Sequence, residues 1–177
     1  EGRADLFGLY YIMDPKLIEM GLVDSDEVGK AEYDGYIRNG LMLQLRRIQP
    51  GEKIEQSHMR NRAYISHWAF EQGRPDNIIE KKISDGKTYF VINDYEALQK
   101  IFGELLREIQ RIKSQGDYEA AKQLVEKYGV NVEQGIHEEV LERSKALNIP
   151  PYAGFMNPHY KPVTDENEAI TDIMITY

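Results

Sequence analysis

Two pairs of polar residues in this chain stand one helical turn apart. Glu1 and Asp5 precede the apolar run Leu6-Phe7-Gly8-Leu9-Tyr10-Tyr11-Ile12-Met13, and His58 and Arg62 stand at the same i, i+4 spacing in a later segment. On a helix that spacing puts both members of a pair on one face. A carboxylate that ligates zinc, with a second carboxylate one turn on to orient a ligating imidazole, is a division of labour found at catalytic zinc sites. An imidazole facing such a site can donate to a developing oxyanion, and a guanidinium one turn away can hold a carboxylate with its fork of donors. Either pair alone is also compatible with an ordinary surface helix. Acidic residues favour helix N-termini because of the dipole, and a His-Arg pair suits any solvated helical face.

The remaining chemistry is sparse. His67 stands nine residues beyond His58, so the two need not share a face, and it reads as a packing or surface residue beside Trp68. His137, followed by Glu138 and Glu139, reads as a solvated helix start, and His159, between Pro158 and Tyr160, as part of a turn-like loop. The absence of cysteine excludes disulfides, thiolate metal sites and a thiol nucleophile. A net charge of −8 argues against nucleic acid or an anionic membrane as partner. No apolar run reaches the ~18 residues of a membrane span, and there is no basic-then-apolar start of the signal-peptide kind. Gly-rich phosphate loops, Ser-His-Asp arrangements and EF-hand spacing are missing.

The elements that must position these residues are mostly helical. Asp14-Pro15 ends the first helix and caps a short second one that stops at Gly21. Asp24-x-x-Glu27 resembles a capping box and predicts a long helix to about Ile48, with the apolar stripe Tyr33, Ile37, Leu41, Leu45, Ile48. Gln49-Pro50-Gly51 is a turn. A helix from about Ile54 to Gln72 carries His58 and Arg62 and stops at Gly73. The period then changes: Ile78–Ile83 and Thr88–Ile92 flank Ser84-Asp85-Gly86-Lys87, a hairpin signal. Asn93-x-x-Glu96 opens a helix with the stripe Leu98, Ile101, Leu105, Ile109, Ile112, closing at Gly116. Further helices are expected over about 117–128 and 133–147, the last ended by Pro150-Pro151. The fold class is mainly α (α+β), a helical domain with one central β-hairpin at about 78–92 and a C-terminal hairpin or extended arm over 160–164 and 170–177.

The opening Glu1-Gly2-Arg3-Ala4-Asp5, with Gly8-Leu9-Tyr10 after it, resembles the second zinc motif of the dipeptidyl peptidase III family, Glu-Glu-x-Arg-Ala-(Glu/Asp) followed by Gly-Leu-Tyr. His58-Met59-Arg60-Asn61-Arg62 resembles that family's His-Met-x-x-Arg segment at about the expected distance downstream. Looser matches, around Lys113-Ser114-Gln115-Gly116-Asp117 and Tyr152-Ala153-Gly154-Phe155-Met156-Asn157-Pro158, suit the family's bacterial branch. The chain departs from the pattern in two places. Its motif begins at a single Glu, with Gly2 where Cys or Ala is usual. The family's other zinc motif, His-Glu-x-x-x-His, is absent: His137-Glu138 begins one, but its last position is Glu142.

The resemblance implies a catalytic region cut at its third zinc ligand, so residues 1–177 are expected to be a single domain forming the C-terminal part of a larger peptidase. Glu1 would be the zinc ligand, Asp5 would accept a hydrogen bond from a ligating imidazole, and His58 and Arg62 would be catalytic, as oxyanion donor and carboxylate holder. The parent would release dipeptides from the N-termini of short peptides. This segment, with one of three protein ligands, would hold no tight zinc and be inactive alone. Its partners would be peptide substrates and the rest of the same polypeptide, with no nucleic acid and no membrane, and its expected address is the cytoplasm. The other reading is non-enzymatic: an acidic helical scaffold or interaction domain whose i, i+4 pairs are surface features.

Overall fold

The computed structural model describes residues 1–152 and 157–176. Among these, 57% are helical, in seven α-helices accompanied by two small antiparallel hairpins. The order is α1 (Gly2–Tyr11), α2 (Pro15–Glu19), α3 (Asp26–Leu41), a 3-10 segment (Leu43–Arg47), α4 (Ser57–Gly73), β1 (Ile79–Ser84), β2 (Lys87–Ile92), α5 (Tyr95–Gln115), α6 (Tyr118–Tyr128), α7 (Gln134–Ala146), β3 (His159–Thr164) and β4 (Ile170–Thr176). The expected class, mainly α with a central and a C-terminal hairpin, is the observed one. No described helix is long and apolar enough to cross a membrane.

Local chemistry sets most element ends. Asp14 caps α2 by accepting from the Lys16 amide at 2.9 Å, with Pro15 in the first turn. Asp117 caps α6 in the same way, accepting from Ala120. At the start of α5 the cap is Asp94, which accepts from Ala97, rather than the expected Asn93. The β1–β2 turn places Asp85 and Gly86 at φ of 50° and 71°, the paired left-handed conformation of a two-residue hairpin.

The long helix expected to reach Ile48 is broken. α3 starts after Ser25, ends at Leu41, and continues past Met42 as the 3-10 segment. The break has a visible cause. Gln44 turns its side-chain amide onto the Gly40 carbonyl at 3.1 Å, the acceptor that its own backbone N–H would use in a continued helix, and onto Met59 O of α4 at 3.1 Å. The whole apolar stripe, Tyr33, Ile37, Leu41, Leu45 and Ile48, is buried regardless.

The core joins α1, α3, α4 and α5. Tyr33 is fully buried; its hydroxyl donates to Leu9 O at 2.7 Å and its ring meets Phe102 edge-on at 5.0 Å. Leu6 and Leu9 anchor α1 in that core. α3 and α4 approach closely at Gly40, where a Cβ would lie 2.0 Å from Ser66 Oγ and 2.6 Å from the Arg62 carbonyl oxygen. Only glycine fits there.

His137 is the clearest difference from expectation. It is buried, with Nε2 3.0 Å from Ile48 O, tying α7 to the end of the 3-10 segment instead of standing in solvent. The neighbours read with it divide: Glu138 is exposed, whereas Glu139 accepts from the Thr88 amide and Arg143. His159 opens β3 instead of lying in a loop, and Ala153–Met156 of the Tyr152–Pro158 stretch lie outside the described residues.

Candidate active-site corner

The N-terminal turn of α1 packs against α4 where the two predicted pairs lie, and α3 closes the third side. Glu1 Oε2 is 3.2 Å from His58 Nδ1, linking two blocks far apart in sequence. Both side chains face solvent, with 42% of Glu1 and 62% of His58 exposed. The contact is an ion pair only when the imidazole carries its second proton.

Asp5 sits one turn further along α1, half-buried. Its Oδ2 receives two hydrogen bonds, from the Tyr36 hydroxyl of α3 at 2.9 Å and from Asn61 Nδ2 of α4 at 2.6 Å. No Lys, Arg or His nitrogen among the described residues pairs with this carboxylate, and Oδ1 receives no hydrogen bond from them. Arg62 lines the same open cleft of about 610 Å³ as Asp5, Tyr36, Glu32 and Asn39. It contributes positive potential near the Tyr36 hydroxyl without an ion pair of its own among the described residues. Burial, then the Asp5 carboxylate, push the Tyr36 hydroxyl well above tyrosine's ordinary value. Burial followed by the charges of Asp5 and Glu1 does the same to Tyr64. Both phenols therefore remain protonated donors throughout the physiological range.

Gly2, the departure from the expected motif, has a packing reason. A Cβ there would fall 1.4 Å from Tyr64 Oη and 2.7 Å from Asn61 Oδ1. Two α4 side chains occupy the space a larger residue would fill, so glycine at position 2 and tyrosine at 64 belong together.

The four predicted residues thus share one corner: Glu1 touches His58, and Asp5 shares the Arg62 cleft. Tyr36, Asn61 and Tyr64 escaped sequence reasoning. The only sequence sign of Asn61 was an amide among positions that become core, with Met59, Ala63 and Ile65 around it. Tyr36 lay beside the stripe residue Ile37 with no motif to mark it.

The donors suit part of a zinc site. Glu1 offers an accessible carboxylate of the kind that ligates zinc, and Asp5 offers a second, anchored carboxylate with one oxygen unengaged, suited to support an imidazole ligand. No three metal-ligating side chains converge among the described residues, so these groups fit one corner of such a centre and not a complete ligand set. The family model described as Peptidase family M49 matches residues 1–149. Its members are dipeptidyl peptidase III-type metallopeptidases that are generally zinc-dependent. The matched span contains the Glu1–Asp5 turn, the His58–Arg62 turn and every helix that positions them, and this chain belongs to peptidase family M49.

Proposed function

We propose that this chain supplies the carboxylate corner of a zinc-dependent exopeptidase that removes dipeptides from peptide N-termini. The observation that carries the reading is the 3.2 Å approach of His58 to Glu1 on a helix end that also presents Asp5. In the complete centre Glu1 would ligate the metal, and Asp5 Oδ1 would accept from the far nitrogen of an imidazole ligand, fixing its tautomer. A bound zinc polarises the scissile carbonyl and lowers the pKa of water. The other work falls to this chain's side chains. His58 lies beside the Glu1 carboxylate, and its ring would donate to an oxyanion formed next to it. Arg62, whose guanidinium makes no ion pair among the described residues, would hold a substrate or active-site carboxylate with two parallel donors. The looser similarity to the bacterial branch, and the place of this segment in the C-terminal part of the catalytic region, belong to the same proposal.

The chain has no His-Glu-x-x-x-His. By ligand count, the 177 residues alone are expected to retain no stoichiometric zinc after dialysis and to hydrolyse no dipeptidyl-naphthylamide. In the full-length enzyme, Glu1→Ala should abolish zinc binding and turnover together, whereas Asp5→Ala should weaken both by roughly 10–100-fold. His58→Ala should lower kcat by about 10²–10³ with KM and zinc content unchanged. Arg62→Ala should raise KM as well. Full zinc occupancy and normal turnover in Glu1→Ala would leave only the scaffold reading.

A further inference from the structure

The two donors on Asp5 have a chemistry that packing alone does not explain. Asn61 is 4% exposed, and turning its amide nitrogen to Asp5 leaves its own Oδ1 buried without a partner among the described residues. The opposite amide orientation is closed to it, because two oxygens would then face each other. A residue kept only to fill the α1–α4 seam would be better apolar, since an orphaned buried carbonyl is a standing cost. Tyr36 is likewise a neutral donor, held protonated by its surroundings. A half-buried carboxylate usually gains a cation. Here Arg62 lines the same cleft yet makes no ion pair with Asp5.

We propose that Tyr36 and Asn61 are positioning residues: two neutral donors that pin Oδ2 of Asp5 and leave Oδ1, unpaired with any cation among the described residues, as the acceptor for the N–H of an imidazole metal ligand. Neutral donors fix the carboxylate's plane without drawing off its charge. A guanidinium in the same place would fix the plane and weaken Oδ1 as an acceptor. The two donors come from different helices, α3 and α4, so the direction of Oδ1 is set by the crossing of these helices on α1. This inference rests on the reading of Glu1 and Asp5 given above.

The test uses the zinc-loaded full-length enzyme and measures zinc loss to a chelator, steady-state kinetics, and the visible spectrum of the cobalt-substituted form. Tyr36→Phe and Asn61→Leu each remove one donor at nearly constant volume, and each should speed metal loss about 10-fold, with the double variant near 100-fold. KM should stay within about twofold while kcat falls, and the cobalt bands should shift. In an Asp5→Ala background, neither substitution should add anything, because both act through that carboxylate. Glu1→Ala is the reference: if it does not loosen the metal, the site reading itself fails. If Glu1→Ala loosens the metal but Tyr36→Phe and Asn61→Leu keep the wild-type rate, or act equally without Asp5, the positioning role is wrong while the site reading stands. Should Asn61→Leu fail to fold, Tyr36→Phe, which removes a single oxygen, decides the matter alone.

Discussion

The corner where α1, α3 and α4 meet and the β3–β4 hairpin are built on opposite principles. At the corner, contacts join residues 31 and 56 positions apart, Tyr36 and Asn61 to Asp5, and an entire helix end is fixed by a few buried side chains. In the hairpin every residue of both strands is exposed. Its pairing is local, from His159↔Thr176 to Thr164↔Ile170, and its apolar cross-strand pairs, Tyr160↔Ile175 and Pro162↔Ile173, face solvent. Regular backbone pairing therefore says little about where a side chain can be held to a fraction of an ångström. Precision at the corner comes from long-range burial.

The largest test of this contrast is to loosen the corner from beneath. Leu6 is fully buried under the turn that bears Glu1 and Asp5. Leu6→Ala should destabilise the chain by about 3–4 kcal/mol, measured by urea unfolding. Next comes the α3–α4 seam. Gly40→Ala places a methyl against a backbone oxygen, and should cost about 1–3 kcal/mol while Gly35→Ala, in open space on the same helix, does not. Equal effects at the two glycines would deny the close approach.

A subtler effect is expected at His67, on α4 beyond the corner. Burial holds its imidazole below the ordinary histidine value, partly opposed by Glu133. The unfolded chain then takes up a proton more readily than the folded one. The associated stability is complete above the unfolded value near ~6.5 and declines as pH falls through it. Urea midpoints from pH 8 to 5.5 should fall less steeply in His67→Gln than in the parent chain. The smallest effect belongs to the hairpin. No β3 or β4 residue is part of the core among the described residues. Ile173→Thr should therefore change unfolding of the helical body by no more than ~0.5 kcal/mol, and a larger loss would show that the hairpin braces the helices.

What sequence could reveal follows the same divide. The hairpins, most helix ends and the apolar stripes of α3 and α5 were legible, since turn chemistry and periodicity act over a few residues. Glu1, Asp5, His58 and Arg62 could be singled out by spacing and resemblance, and the structure brings them to one corner. That Asp5 is held by Tyr36 and Asn61 was not legible, because no local pattern encodes a contact across three helices. The early end of α3 was hidden for a related reason: Gln44 competes for Gly40 O while also reaching Met59 of a different helix. His137 looked solvated because Glu138 and Glu139 follow it, and only the arrival of Ile48 from across the chain makes it interior.

The missing side chain at Gly40 also sets how closely the two sides of the corner can approach. A hydrogen bond is a soft spring, whereas two backbones in van der Waals contact meet a steep wall. Gly40 lies one turn beyond Tyr36 on α3, and the atoms it rests on belong to Arg62, directly after Asn61 on α4, and to Ser66 one turn further on. The donors to Asp5 are thus mounted on either side of a hard stop. Close-packed interiors compress little, so α3 and α4 cannot close further on each other here, and the stop sets a lower limit on the spacing of Tyr36 and Asn61. That lower limit is a property of an atom that is not there.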